Sequence, residues 1–501
     1  MSSLERHART LAIALLLAGF LFRAWAVGHA RFTGDESYFW ATARNTATFE
    51  AKPVYGPAMT GSTAYHPGPL FYYLMAVPQR LGVSPWFGGL FVVLLHALSS
   101  ALLGLLAFRA RGVRAGLIAL AIVAFAPWDV LYADRIWLSC VAPVWGAIIL
   151  YSATRLDSPR MQGVLLFFAL TCPQLHMSAP IVWIAAAVLA LTGTRPLSGW
   201  KQVISKRAVA IGFVLAFGTY LIPLLYEIDH DFSNTRAILT KGGGKEPGDV
   251  VAKTPFRVLG YAMLAATSEI GYHFETGYWR TFEEGTAYFS GAGLARWWDR
   301  HGPIWSLLTL VTVLASTAAW LWAIPRAVRD RRSKDLETRV VLALIAGLLS
   351  AMLLLMVTRK PFFPHYTNLL MPLLVWPLVM GLDRLMDRAR APALALIGAT
   401  ALAMLSSSAR YYTTVDNLNG LDATVSMVDM AMSGPQPIDV TFDGFYNRFA
   451  WEMLASTGHK RSLPTGDHPV VRYRVRNTGA PTQALSENAT VHHGVVVEVV
   501  R

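Results

Sequence analysis

Charged residues and cysteines are both scarce in this chain of 501 residues. Only 15% of the residues are Asp, Glu, Lys or Arg, whereas a soluble domain carries about 25%. The two cysteines, Cys140 and Cys172, lie in or beside apolar runs and form no CxxC pair. A disulfide framework and a cysteine zinc site are therefore excluded, and we expect both thiols to be small buried residues.

The chain is rich in long apolar runs, and 54% of its residues are hydrophobic. Runs of membrane-spanning length recur over about the first four-fifths of the sequence, which predicts a polytopic α-helical membrane protein with about eleven transmembrane helices. The predicted spans are 10–27, 86–108, 115–131, 139–154, 163–175, 178–194, 208–227, 303–325, 340–358, 366–381 and 392–407. The first lacks a small-residue cleavage site, so we expect a retained helix.

The net charge is +13, and the positions of the basic residues along the chain indicate the membrane topology. Basic residues collect in short loops, for example at Arg109–Arg114 and Arg326–Arg339, whereas the short loops on the other side keep only Arg135, Arg359 and Lys360. This asymmetry resembles the positive-inside pattern. It favours a cytoplasmic N-terminus and an extracytoplasmic C-terminus, and it argues against a nucleic-acid partner. Loops rich in Arg and Ala suggest the inner membrane of a bacterium.

The predicted topology leaves three large pieces on the outer side. They are loops 28–85 and 228–302, within a transmembrane module over 1–407, and the tail 408–501. Alternating apolar and polar residues predict a small α/β domain for the tail. Its predicted strands are 437–443, 470–476 and 494–501, with helices over about 415–432 and 445–457. Because the inner loops are short and basic, we expect any chemistry on the outer face.

Asp35 and Glu36 follow the first span directly, at the start of a predicted surface helix. An acid at that position commonly caps a helix or complements its dipole. A carboxylate facing two large outer loops can also act as a general base or hold a divalent cation. The residues alone leave both interpretations open.

Further polar residues lie at the outer ends of other spans. His66 precedes Pro67 in YHPGPLFYYL, which restricts its backbone, although a solvated turn explains the same pattern. Arg135 follows Asp134 and fits either a local ion pair or a phosphate ligand. Arg359 and Lys360 fit either snorkelling or phosphate binding, and His365 and Tyr366 follow them. We expect Arg23, late in the first span, to snorkel toward the outer surface.

Together these motifs resemble those of the GT-C membrane glycosyltransferases. Arg23, the Asp35–Glu36 pair and HPGPLFYYL are similar to the group of protein O-mannosyltransferases and lipid A aminoarabinose transferases. The segments YADRIW and HYTNLLMPLL resemble an outer-loop acid–arginine motif and a late-span Tyr…Pro signature of that group. The resemblance covers roughly residues 20–380. One departure concerns His66, because many relatives carry a lysine there and a neutral imidazole is a weaker phosphate anchor.

The resemblance implies a sugar donor carried on a polyprenyl phosphate and an acceptor that is a lipid, a glycan or a protein. By matching position, Asp35 is the expected base, Glu36 its companion, and Arg135 a donor-binding residue. We place His66, Arg359, Lys360, His365 and Tyr366 with Arg135 in substrate binding. The expected reaction is an inverting, single-displacement hexosyl or pentosyl transfer. A divalent metal ion, if used, would be held by Asp35 and Glu36.

Two other classes of function stay open on the sequence. A transporter or lipid flippase normally has ionisable residues at mid-membrane and paired repeats, and we find neither a clear mid-span acid nor a repeat. A polysaccharide ligase or polymerase also predicts a long late outer loop, but it does not account for the acid pair after the first span.

A topology reporter tests this arrangement. A reporter fused at Lys241 should give an extracytoplasmic signal, because the second large loop follows the seventh predicted span. A matched fusion within the basic segment 331–334 should give a cytoplasmic signal. A cytoplasmic signal at Lys241 would contradict the predicted topology.

Overall fold

The computed structural model is a bundle of apolar helices followed by a four-stranded sheet. It describes residues 3–30, 32, 34–59, 63–82, 84–193, 204–241, 255, 258–259, 262, 303–358, 364–414, 438–443, 471–477, 489–492 and 495–500. In the first half the helices are α1 (Ser3–His29), α2 (Gly34–Ala47), α3 (Leu70–Gln79), α4 (Pro85–Arg111), α5 (Val113–Phe125), α6 (Pro127–Ala133), α7 (Leu138–Ala153), α8 (Pro159–Leu175) and α9 (Ala179–Leu191).

The remaining helices of the described residues complete the bundle. They are α10 (Lys206–Asp229), α11 (Ser233–Lys241), α12 (Pro303–Arg329), α13 (Leu336–Thr358), a 3-10 helix (Pro364–Leu370), α14 (Met371–Leu374), α15 (Trp376–Arg388) and α16 (Arg390–Thr414). Each predicted span coincides with one or more of these helices. Among the described residues, 7 helices are long and apolar enough to cross a membrane, or 8 if α5 and α6 form one span. Helices α7 and α9 are apolar but shorter, so the predicted count of eleven stays a prediction.

Local sequence signals set the ends of several helices. Ser84 caps α4, because its side chain accepts a hydrogen bond from the backbone N–H of Trp86, and Pro85 occupies the first turn. The same helix stops at Gly112, whose φ of 85° is a left-handed conformation that glycine adopts without strain. The chain reverses there, and α5 packs back against α4.

The two ends of the bundle differ in chemistry. At one end, which we call the basic end, the carboxylate of Asp383 accepts hydrogen bonds from Arg111 and Arg114, and Arg384 pairs with Glu337 at 2.7 Å. These pairs join α4, α5, α13 and α15. The opposite end, which we call the loop end, carries α2, α3 and the turn between α6 and α7. The basic loops of the sequence thus meet at one end of the bundle.

Helices α5 and α6 meet at a bend of 61°. Pro127 causes it, because proline has no N–H to donate to the carbonyl of Val123. Arg23 of α1 satisfies that carbonyl instead, with Nη2 at 2.6 Å, and pairs with Asp129 of α6. His96 of α4 lies 3.2 Å from the other Asp129 oxygen, and its Nε2 is 2.7 Å from the carbonyl of Cys140. A single polar network therefore connects α1, α4, α6 and α7.

The prediction for Arg23 is wrong. Arg23 is only 1% exposed and does not snorkel, because a partner on a neighbouring helix satisfies it inside the bundle. That partner, Asp129, lies near the end of the predicted span 115–131 and is buried in α6. This carboxylate is already paired with Arg23 and His96, as expected of a residue that fixes helix positions.

The described strands of the tail form one sheet in the order β1 (Ile438–Asp443), β2 (Val471–Asn477), β4 (Val495–Val500), β3 (Ala489–His492). Strand β1 runs parallel to β2, and the other neighbours are antiparallel. Three strands coincide with predicted ones, and the four-residue β3 was not predicted. The predicted helices over 415–432 and 445–457 lie outside the described residues, so the α/β domain stays a prediction.

Removing Asp129 tests the role of the buried network. Asp129→Ala leaves Arg23 charged and unpaired in the bundle, which should cost about 3–5 kcal/mol of unfolding free energy. Replacing both partners, with Arg23→Met and Asp129→Leu, should cost clearly less, because no uncompensated charge remains. Thermal unfolding in detergent measures both. Equal losses for the single and double variants would show that the ion pair does not couple α1 to α6.

Candidate functional site

The adjacent acids at the start of α2 face different surroundings. Helix α2 begins at Gly34, so Asp35 and Glu36 lie in its first turn, where carboxylates complement the positive end of the helix dipole. The Asp35 side chain is exposed, whereas that of Glu36 is only 4% exposed. One carboxylate is therefore accessible at the loop end, and its neighbour is part of the interior.

Glu36 lies beside a second acidic group, in the turn between α6 and α7. Asp134 accepts a hydrogen bond from Arg135 Nε at 3.1 Å and another from the Tyr412 hydroxyl of α16. Burial raises the pKa of Asp134, against the opposing charge of Arg135, and the nearby charge of Glu36 raises it further. Three ionisable side chains from α2 and the α6–α7 turn thus share one buried environment, together with Tyr412.

The local ion pair proposed for Asp134 and Arg135 is present. It is not a surface pair, because Asp134 is 1% exposed and the Arg135 side chain about 10%. A buried guanidinium held by one carboxylate can still donate from its other nitrogens. The phosphate-ligand interpretation of Arg135 therefore stays a prediction.

The backbone around residues 56–68 holds His66 in place. Its N–H donates to the carbonyl of Pro57, and its carbonyl accepts from the N–H of Gly56, both at 3.0 Å. Two residues later, a Cβ on Gly68 would lie 2.1 Å from Gln174 Oε1 of α8, so a larger residue would displace the Gln174 side chain from this position. The HPGP motif thus places His66 against the end of α8, where the imidazole ring forms a hydrogen bond with the backbone of Pro173.

Two further histidines lie near His66. His176, between α8 and α9, and His365, in the 3-10 helix, have ring centroids 5.7 Å apart, and both are within electrostatic range of His66. Tyr366 packs against both rings, and Trp137 packs edge-on against His365 at 5.3 Å. We call His66, His176 and His365 the histidine cluster. Trp137 links it to the turn that carries Arg135.

Contacts between loops hold this region together. Tyr65 donates its N–H to the side-chain oxygen of Asn234 at 2.7 Å, and the Asn234 amide donates back to the Tyr65 carbonyl at 3.2 Å. Tyr55 donates its hydroxyl to Glu227 near the end of α10. Residues 55–65 are therefore anchored to the end of α10 and the start of α11, next to His66.

The structure brings together several predicted residues that are distant in sequence. His66, His365 and Tyr366 meet at one place, and Glu36 lies within electrostatic range of Asp134, the partner of Arg135. Arg359 and Lys360 lie outside the described residues. Sequence reasoning missed His176 and Tyr412. For His176, the available signal in the sequence was its position shortly after Pro173, a proline inside a helix. No signal in the sequence indicated Tyr412.

The arrangement at the loop end suits an anionic ligand. Burial lowers the pKa of His66 to about 4, so this ring is neutral near pH 7. Its Nδ1 is buried and has no hydrogen-bond partner among the described residues. The ring donates to the Pro173 backbone through its other nitrogen, so in the neutral form Nδ1 accepts hydrogen bonds and cannot donate to phosphate oxygens, whereas the Arg135 guanidinium can. Within the described part of the chain, no group of three or more His, Cys, Asp or Glu side chains is arranged so that it could hold a metal ion.

The bundle shares the GT-C fold of solved structures of ArnT and of an archaeal oligosaccharyltransferase. The sequence resemblance is thereby confirmed at the level of fold. No protein-family model matches the chain. No curated protein sequence matches it either.

Solved structures with this fold cover nearly the whole chain. ArnT from Cupriavidus metallidurans in the apo state is 12% identical with a TM-score of 0.56, covering 99% of this chain and 98% of that one. ArnT bound to undecaprenyl phosphate is 10% identical with a TM-score of 0.54, covering 97% of each chain. The Archaeoglobus fulgidus oligosaccharyltransferase in complex with zinc and sulfate is 13% identical with a TM-score of 0.51, covering 93% of this chain and 68% of that one.

The buried state of His66 predicts a pH dependence of stability. Its pKa is about 4 when folded and about 6.5 when exposed, so the unfolded chain binds the proton more tightly. Stability should therefore fall as the pH decreases from 6.5 toward 4, by about 3 kcal/mol for this one group. Chemical unfolding at pH 7.5 and pH 4.5 measures the loss.

Two substitutions separate His66 from the other titrating groups. His66→Gln should show a smaller loss at low pH than the wild type, because the titrating ring is gone. His230→Gln, at an exposed histidine near the same end, should show the wild-type loss. An unchanged pH dependence in His66→Gln would show that His66 is not buried as a neutral ring.

Proposed function

We propose that this protein is a glycosyltransferase that moves a sugar from a polyprenyl-phosphate donor to an acceptor at the loop end of the bundle. One observation carries the proposal. An exposed carboxylate, Asp35, lies one residue from a buried group in which Glu36, Asp134 and Arg135 interact. A general base and a phosphate ligand are thus within reach of one another, in a fold shared with a protein bound to undecaprenyl phosphate.

The residue types match the chemistry of this transfer. Asp35 takes the proton from the acceptor hydroxyl as that oxygen forms a bond to the anomeric carbon of the sugar. The bond from the anomeric carbon to the phosphate oxygen breaks, and the polyprenyl phosphate leaves with the electron pair. Phosphate is a good leaving group, so no second acid is needed to protonate it, unlike in a glycosidase. One displacement inverts the anomeric configuration.

Binding of the donor phosphate falls to residues around the histidine cluster. Arg135 supplies a permanent positive charge that a leaving phosphate requires. We place His66, His365 and Tyr366 beside that phosphate as further substrate-binding residues. We assign Arg359 and Lys360, which precede His365 in the sequence, to the same role.

A divalent cation would bind at Asp35 and Glu36. Mg²⁺ typically takes one or two carboxylates and completes its shell with water and phosphate oxygens, so two acids in one turn are sufficient protein ligands. Glu36 is buried beside Asp134, which leaves Asp35 as the accessible ligand. When bound, the cation would neutralise charge on the donor phosphate.

The loop end is the extracytoplasmic side in this proposal. Its support is the concentration of Arg and Lys at the basic end, the distribution that cytoplasmic loops show. With this orientation the N-terminus is cytoplasmic, the tail is extracytoplasmic, and the donor is used on the outer leaflet of a bacterial inner membrane. The sugar is a hexose or pentose, and the acceptor is a lipid, glycan or protein.

Substituting the accessible acid tests the assignment. Asp35→Asn removes the base and keeps the shape of the side chain, so transfer from a polyprenyl-phosphate sugar should fall by a factor of about 100 or more. Glu50→Gln, an exposed acid in the same loop, is the matched control and should keep wild-type activity. Conversion of a labelled lipid-linked donor by purified protein measures both variants.

Folding must be shown to be intact in the same samples. Asp35 is exposed, so Asp35→Asn should unfold at a temperature close to that of the wild type. An Asp35→Asn protein that folds and retains full transfer activity would rule out Asp35 as the base.

A further inference from the structure

A large cavity lies at the basic end, on the side of the bundle away from the histidine cluster. It has a volume of about 830 Å³, opens on the side of the bundle and is lined by α7, α8, α9 and α10, with the ends of α4 and α13 at its margin. A volume of this size is typical of sites for small organic ligands. The proposed transfer reaction does not use it.

Two arginines line this cavity and form no salt bridge among the described residues, although Asp157 lies within electrostatic range of Arg109 and Asp335 within range of Arg339. Arg109 Nη1 donates to Thr154 Oγ1 at 2.8 Å, and Arg339 Nη2 donates to the carbonyl of Leu189. Arg339 is only 7% exposed, and its Nε has no hydrogen-bond partner among the described residues. The two guanidinium groups also lie within electrostatic range of each other.

The pairing of other basic residues makes this arrangement unusual. At the same end Arg114 has Asp383 at 2.6 Å and Arg384 has Glu337 at 2.7 Å, whereas neither Arg109 nor Arg339 forms a salt bridge in the described part of the chain. Asp157 also lines the cavity, but its carboxylate lies 3.7 Å from Arg155. Two like charges around one cavity are unfavourable unless an anion lies between them.

The rest of the cavity wall is apolar. Helix α9 contributes Ala186, Ala187 and Ala190, whose short side chains leave space that larger residues would fill. Its 13 residues extend only about 20 Å, less than the roughly 30 Å hydrocarbon thickness of a bilayer. Together, the short helix and its small side chains leave an apolar space next to the guanidinium groups of Arg109 and Arg339.

We propose that this cavity binds one anionic phospholipid from the leaflet at the basic end. Its phosphate would bind between Arg109 and Arg339, and an acyl chain would lie along the alanine face of α9. The charge of the arginines selects an anionic headgroup, and the apolar wall selects a lipid over free phosphate. This site is separate from the histidine cluster and from the donor.

Native mass spectrometry of the purified full-length protein tests the proposal. The protein is incubated with equal amounts of phosphatidylglycerol and phosphatidylcholine, and the retained lipid is counted. The wild type should retain one phosphatidylglycerol in preference. The variant R109Q/R339Q should retain about tenfold less, because two charge-assisted hydrogen bonds to the phosphate are lost. R331Q/R332Q, at exposed arginines of the same end, is the matched control and should behave as the wild type.

A second substitution addresses the apolar part of the site and does not depend on the arginines. Ala187→Trp should also abolish phosphatidylglycerol retention, because the indole fills the cavity while both cations remain. Retention by Ala187→Trp at the wild-type level would overturn the lipid site, as would complete displacement by an equal concentration of inorganic phosphate. Unchanged retention in R109Q/R339Q would overturn it as well.

Discussion

The ion pair between Arg23 and Asp129 is the interaction on which the loop end depends. A charged residue in an apolar bundle is stable only with a partner, and here each partner comes from a different helix. Arg23 also donates a hydrogen bond to the Val123 carbonyl, which Pro127 cannot bond because it has no N–H. This contact stabilises the 61° bend between α5 and α6. Through His96 the same network reaches the start of α7. Asp134 and Arg135 lie in the turn between α6 and α7, so their position follows from this network.

The few buried charged side chains lie where the fold supplies ion-pair or hydrogen-bond partners. At the basic end Arg111, Arg114 and Arg384 each pair with a carboxylate, and these pairs tie α4, α5, α13 and α15 together. Arg109 and Arg339 are different because they face an apolar cavity. At the loop end Glu36, Asp134, His66 and His176 are buried, and Asp35 is exposed. The Arg23–Asp129 pair and the ion pairs of the basic end stabilise the bundle, whereas the proposed chemistry rests on a different set of charges at the loop end.

Much of the fold could be predicted because hydropathy is a local property. The helix positions follow from the apolar runs, and α2 follows from the polar segment after the first span. The meeting of His66 with His365 could not be derived from spacing, since 299 residues separate them (365 minus 66). The prediction for Arg23 was wrong because snorkelling considers one helix alone, whereas its partner Asp129 lies on another. Tyr412 was missed for the same reason, because its contact with Asp134 joins α16 to the α6–α7 turn.

The central claim is that the protein consumes a lipid-linked sugar. Profiling of polyprenyl-phosphate sugars in cells that lack the protein tests it most directly, because a transferase that is absent leaves its donor unused. We expect one polyprenyl-phosphate sugar to accumulate and to return to its normal level when the wild-type gene is restored. An unchanged profile of lipid-linked sugars, in cells that otherwise make the protein at a detectable level, would contradict the account.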